Sequence, residues 1–193
     1  MRDLNNVEEK ILDRALYLIG KTGSMNVPIR AIAKEADVNV SAVNYYFRTK
    51  DEMLRHIKQF FIDNSNATLQ YFENETMDDE TKLAYFANEI MEYNLRFPGV
   101  TVILKYAEQT IDTDEMSAKI VDVTKNLHDH LEMALRKVVK CDEKNFIFRK
   151  LFFLSSMVFP LENSEVVYSK DIDFYDEVTR KAYIHHLIQI LKG

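Results

Sequence analysis

Between Val40 and Phe47 the side chains divide by chemistry: Val40, Val43 and Phe47 point one way at helical spacing, leaving Ser41, Ala42, Asn44, Tyr45 and Tyr46 for another surface. That second surface carries groups that hydrogen-bond and pack, not groups that break bonds. Elsewhere the reactive residue types are poorly spaced. His128 and His130 lie two apart on a predicted helix and face different directions, and the adjacent His185 and His186 fail on the same geometry. His128 with Glu132 has i, i+4 spacing but no third ligand in view, so no metal is expected. Cys141 sits in a polar turn with no histidine beside it. The carboxylate pairs Asp78-Asp79 and Asp114-Glu115 fall in predicted helix caps. There is no strand, glycine-rich loop and helix unit, and neither GxSxG nor HExxH occurs. An enzyme is not expected, and neither is a cofactor.

The elements around the first cluster explain its use. Ile29, Ile32, Ala33 and Ala36 recur at i, i+3, i+4 and i+7, a short helix with Pro28 at its first position. After Asp37-Val38 a second short helix can begin, with Asn39 as its N-cap. Two short helices about a tight turn make a helix-turn-helix, whose second helix enters the DNA major groove. Residues 7–22 form an amphipathic helix with Val7, Ile11, Ala15, Leu18 and Ile19 on one stripe, an Asn6/Glu9 capping box and Gly23 as its stop. Thr49 and Glu52 form a second capping box, starting a helix to about Phe72. Its free N–H groups and the Lys50 ammonium would suit a phosphate oxygen.

The stretch resembles the DNA-binding motif of the TetR family of transcriptional repressors. The places of the family pattern are held here by Ala15, Ile19 and Gly23, by Ile32-Ala33, by Asp37-Val38-Asn39, by Val43-Asn44-Tyr45-Tyr46-Phe47 and by Lys50-Asp51-Glu52-Met53-Leu54. The resemblance covers about residues 7 to 56. Aspartate 37 stands where the family has a turn glycine, Asn44 where its first tyrosine contacts DNA, and Pro28 where a threonine often caps the helix and binds phosphate. Carried over position by position, the resemblance implies that Tyr45, Tyr46 and Lys50 contact backbone phosphates. It implies that Asn39, Ser41, Ala42 and Asn44 read base edges, with the Ala42 methyl available to a thymine methyl.

Composition fits a helical protein. Of 193 residues 47% are hydrophobic, with four glycines and three prolines, so long helices and short connections are expected. No apolar run reaches the roughly 20 residues of a membrane span, and the sequence MRDLNNVEEK lacks a signal-peptide core. With the single Cys141 excluding an internal disulfide, the cytoplasm is the expected location. Net charge is −6, unevenly spread: residues 1–60 hold 10 Lys+Arg against 8 Asp+Glu, the remainder 15 against 23. The basic excess sits beside the helix-turn-helix, as in a protein that docks one end on DNA.

The rest of the chain reads as further helices: about 80–97, a short one through Val102, Ile103 and Tyr106, one to about Val139, and an apolar segment from Phe146 to Phe159. The last helix carries Tyr183, Ile184, Leu187, Ile188, Ile190 and Leu191 over a wide arc, which predicts burial against a partner subunit. The resemblance implies the same homodimer, through the last two long helices. It also implies an effector in the helical body, expected near Phe86, Ile90, Tyr93, Tyr106 and Phe152 and mainly apolar or aromatic.

The expected fold is all-α: a three-helix helix-turn-helix DNA-binding domain at 1–50 and a helical effector-binding and dimerisation domain at 51–193. The expected function is a dimeric regulator, a repressor released from a palindromic double-stranded DNA operator by an unidentified small-molecule effector, without a membrane role. Two other readings stay open: a helical small-molecule-binding protein with a vestigial head, and a DNA-binding adaptor that answers to a protein partner.

Overall fold

The structure, a computed structural model, describes residues 6–163 and 172–193. The described residues hold nine α-helices and no strand: α1 Val7–Thr22, α2 Ile29–Glu35, α3 Val40–Phe47, α4 Lys50–Glu73, α5 Asp79–Arg96, α6 Val100–Thr110, α7 Glu115–Val138, α8 Glu143–Glu162 and α9 Glu177–Lys192. The fold is all-α.

Polar residues set the helix starts as the spacing predicts. The Glu9 N–H donates to Asn6 Oδ1 at 2.8 Å, the Ala42 N–H to Asn39 Oδ1 at 2.7 Å and the Glu52 N–H to Thr49 Oγ1 at 3.1 Å. Gly23 ends α1 in the left-handed region at φ 65°. Pro28 is the N-cap of α2 and not its first residue, because its ψ of 137° is still extended. Its carbonyl nevertheless accepts from the Ala31 and Ile32 N–H groups at 2.9 and 3.2 Å. On α1, Leu16 is buried where Leu18 was expected, and Val40 is largely exposed.

The chain gathers into two compact units, residues 1–64 with 96–123, and 65–95 with 124–193. Helices α4 and α7 run through both. In the first unit Ile11, Ala15, Leu16 and Ile19 of α1 pack in one core with Ile32, Val43, Phe47 and Ile57. The turn between α5 and α6 lies against α1 backbone to backbone. A Cβ on Gly99 would stand 2.4 Å from the Leu16 carbonyl oxygen, and one on Gly20 2.4 Å from the Gly99 nitrogen. Beside this contact the buried carboxylate of Asp13 accepts from Arg14 and, at 3.4 Å, from Arg96.

A polar cluster closes the other side of that unit. Lys58 of α4 is buried, pairs with Asp114 at the start of α7, lies 3.4 Å from Ser117 Oγ and holds its ammonium 4.8 Å above the Tyr106 ring. Burial pushes the Asp114 carboxyl up, but hydrogen bonds from Lys58 and Ser117 hold it below its ordinary value.

In the second unit α5, α7, α8 and α9 share a core of Leu83, Phe86, Met91, Leu131, Phe153, Met157 and Ile188. Arg180 is buried and each of its three side-chain nitrogens donates: to Asn88 Oδ1 at 2.9 Å, to the Phe174 carbonyl at 2.9 Å and to Glu92 at 3.0 Å. Pro160 inside α8 has no N–H for the Ser156 carbonyl, and the Tyr183 hydroxyl takes that place, donating at 2.8 Å.

The α9 arc is a correction. Ile184, Leu187, Ile188 and Leu191 are buried within their own chain, so they are not free for a partner; Ile190 alone of the arc is largely exposed. The exposed apolar face belongs to α8, at Phe148, Leu151, Phe152 and Phe159. An arc wider than one stripe shows that a helix has apolar surface to bury, but not which neighbour covers it.

Gly99→Ala is expected to lower stability by about 1–3 kcal/mol, since the added methyl must separate two backbones. At Gly23, where a Cβ meets nothing within 4 Å, the same substitution costs only the strain of a left-handed residue, about 1 kcal/mol. Urea unfolding of the two variants checks the order.

Candidate functional sites

Helix α3 presents its polar side because its apolar side is held down. Val43 and Phe47 are buried, and the Phe47 ring meets the His56 ring of α4 edge to face at 5.5 Å. Opposite them Ser41, Asn44 and Tyr45 are exposed and Ala42 and Tyr46 half-buried. Tyr45 is 80% exposed. Tyr46 sits against it edge to face at 5.2 Å, so the two phenols form one raised edge.

The geometry sorts the expected contacts. Asn39 Oδ1 accepts both the Ala42 N–H and, at 2.7 Å, the Ser41 hydroxyl. With that oxygen engaged, Asn39 is left its amide N–H2 for a base acceptor, and Ser41 is left an acceptor lone pair. Asn44 is exposed, and its carboxamide makes no hydrogen bond to another described residue. It is therefore the residue on α3 with both halves of its amide available, as a bidentate contact to adenine requires. The Lys50 ammonium donates to Asn26 Oδ1, which leaves two of its three protons for a phosphate.

Two residues beyond the sequence reading join this edge. Asn26 orients Lys50 from 24 positions away, a pairing that no local pattern shows. Arg48, exposed with φ 46°, adds a cation at the turn between α3 and α4. Asp37 also lies in the left-handed region, at φ 53°. Aspartate is among the few L residues that visit this region, so it can make the turn that glycine makes in the resembling motif.

The residues expected around an effector are not all together. Phe86, Ile90 and Tyr93 lie on α5 in the second unit, Phe86 buried against Phe72 at 5.5 Å between ring centres. Phe152 is on the exposed face of α8, and Tyr106 belongs to the first unit under Lys58. Sequence gave no sign of the cavity that the second unit does hold. It lies between α5 and α9, opens to solvent past exposed Asp78, Lys181 and His185, has a volume of about 700 Å³ and is lined by Tyr85, Asn88 and Ile184 among others. Small-molecule sites span roughly 300–1,000 Å³. The Tyr85 ring stacks on Tyr71 of α4 at 5.3 Å and 10° between planes. Nearby, burial and the Glu92 charge push the Glu89 carboxyl above its ordinary value against the pull of Arg180. Among the described residues no three His, Cys, Asp or Glu side chains are grouped to hold a metal, and no helix is long and apolar enough to cross a membrane.

Residues 11–57 match the family described as "Bacterial regulatory proteins, tetR family". The chain is similar to a probable HTH-type transcriptional regulator, YttP, of Bacillus subtilis (strain 168), 29% identical over 110 residues. That match takes in 56% of this chain and 53% of the relative, so it spans about half the relative's length. It is also similar to the nucleoid occlusion factor SlmA of Salmonella paratyphi A, 24% identical over 181 residues, 88% of this chain and 89% of that one. Among solved structures, the ketosteroid transcriptional regulator KstR2 of Mycobacterium tuberculosis superposes with a TM-score of 0.72 at 15% identity. The superposition covers 99% of this chain and 95% of that one, a likeness of fold.

Lys50→Ala is expected to weaken binding to all DNA sequences alike and to flatten the logarithmic salt dependence by about 1. Asn44→Ala should instead relax the base preference at one position of each half-site, at roughly 1–3 kcal/mol. Binding measured over a salt series and a set of operator variants separates the two; a changed preference with an unchanged slope in Lys50→Ala would remove Lys50 from the phosphate.

Proposed function

We propose, for a chain that belongs to the tetR family of bacterial regulatory proteins and is a DNA-binding transcriptional regulator, that it acts as a dimeric repressor released by a small molecule. The observation that carries the reading is the α3 edge, where Asn44, Tyr45 and Tyr46 stand clear of a helix anchored through Val43 and Phe47. Residues 1–50 are the reading head; residues 51–193 hold the effector and the partner subunit. Tyr45, Tyr46 and Lys50 grip phosphates, while Asn39, Ser41, Ala42 and Asn44 face base edges.

A palindromic operator needs two heads related by two-fold symmetry. The exposed face of α8 supports such a dimer: Phe148, Leu151, Phe152 and Phe159 fall at i, i+3, i+4 and i+11 on one side of the helix. Contiguous apolar surface of this kind is rare on a lone soluble protein.

The effector is placed at α5, in the cavity shared with α9. Helix α4 gives the route to the head. It starts at Lys50, and near its far end Tyr71 stacks on Tyr85 and Phe72 packs on Phe86, both of α5. A ligand that shifts α5 therefore bears on the helix that carries the phosphate contact. Successive major grooves recur at about 34–36 Å, so a small change in head separation is costly on DNA.

Phe148→Glu with Leu151→Glu should give folded monomers with operator affinity reduced at least tenfold, about 1.4 kcal/mol; light scattering and circular dichroism check this. Leu187→Glu with Ile188→Glu should unfold the second unit instead, because both side chains are core.

Any effector that releases DNA must bind more weakly to the operator complex, by the same factor that it weakens operator binding. Calorimetric titration of one effector with and without operator DNA tests it. Equal affinities would remove the sensing role.

A further inference from the structure

Helices α5 and α9 run antiparallel across the cavity, which gives it two chemically different ends. Near the start of α5, Asp78 and Glu80 line it. The Thr81 N–H and hydroxyl donate to Asp78, each at 2.8 Å, and hold its carboxyl below the ordinary value, so it stays ionised. Glu80 takes Lys192 at 2.8 Å and Gln189 at 3.0 Å. Two carboxylates against one ammonium leave that end one negative charge in excess.

The other end offers donors. Asn88 is buried, and Arg180 holds its Oδ1 at 2.9 Å, which turns the amide N–H2 to other acceptors. Lys181 lines the cavity beside it, paired with Glu177 at 2.5 Å. Both members of that i, i+4 pair are well exposed, so a ligand carboxylate can replace Glu177 at little cost. Between the ends the lining is mainly apolar, with Ala84, Ile184, Ile188 and the stacked Tyr85 ring as a fixed wall and His185 as a polar neighbour. Glu80 and Asn88 are eight residues apart on one helix, an axial span of about 12 Å.

We propose that this cavity takes a linear zwitterion, with an ammonium at the Asp78–Glu80 end, a carboxylate at the Asn88–Lys181 end and an apolar middle. An ω-amino fatty acid and a short apolar peptide with free termini share that chemistry. A purely apolar ligand would strip water from both polar ends and return nothing to them. The inference rests on the effector reading only for its consequence at the operator; occupancy is measured on the full chain without DNA.

Calorimetry compares four probes: ω-aminooctanoate, a four-residue apolar peptide with free termini, octylamine and octanoate. The zwitterion or the peptide is expected to bind at least tenfold tighter than octylamine and octanoate, and whichever binds tighter identifies the source. Asp78→Asn keeps a competent helix cap and should erase the advantage over octanoate. Lys181→Met should erase the advantage over octylamine. Equal binding of ω-aminooctanoate, octylamine and octanoate, ratios unchanged in both variants, or no heat from either zwitterionic probe with a protein folded by circular dichroism would overturn the assignment. A zwitterion that binds as expected yet leaves operator affinity untouched upholds it, while ending the effector reading.

Discussion

The contact between Gly20 and the Pro98-Gly99 turn sets the geometry of the first unit. Neither glycine has room for a Cβ, so α1 and the turn before α6 approach at backbone distance. Everything that α1 carries is positioned by that approach. Asp13 can then stay buried, because the turn brings Arg96 to it and Arg14 is its neighbour. The same helix packs against α2 and α3, so the reading edge inherits its orientation from a pair of residues with no side chains. Arg14 travels with Asp13 on α1, so the Arg96 bond is the one that ties the helix to the neighbouring turn.

The reading edge itself is built from residues with two duties. Asn39 caps α3 and still has an amide to offer, Ser41 leans on Asn39, and Lys50 is steadied by Asn26. Such sharing restricts what each can recognise, and it reduces the rotamer freedom lost on binding. Asn44 carries no such duty. On the proposed DNA-binding reading, specificity concentrates at this one exposed carboxamide, while phenols, cations and the start of α4 supply the affinity. Asp37 and Arg48, both at positive φ, bracket α3 with backbone conformations that ordinary L residues resist.

The second unit solves a different problem, that of holding an arginine inside a helical core. Arg180 donates from each nitrogen, to Asn88, Glu92 and the Phe174 carbonyl, which ties α9 to α5 and fixes the segment before α9. Because those bonds consume one face of Asn88, they also define what the neighbouring cavity can offer a ligand. Tyr183 completes the Ser156 carbonyl left open by Pro160, so the end of α8 is joined to α9 by a bond that neither helix makes alone. The outer side of α8 stays about half exposed at Phe148, Leu151, Phe152 and Phe159.

The helices, their caps and the helix-turn-helix were legible in the sequence because they rest on local rules. Side chains three and four apart share a face, and Asn6, Asn39 and Thr49 bond to N–H groups three residues ahead. The family motif was legible for the same reason, being confined to a contiguous stretch that matches over residues 11–57. What covers each apolar face was not. The α9 arc and the α8 segment look equally hungry for burial, and only the packed chain shows Leu187 and Ile188 inside and Phe148 and Leu151 outside. The Lys50–Asn26 bond, the Lys58–Asp114 pair and the cavity between α5 and α9 join residues distant in the chain. Periodicity tells how much surface a helix must bury; which partner buries it depends on the three-dimensional placement of every other helix, and that placement alone brought Asp78, Asn88 and Lys181 around one space.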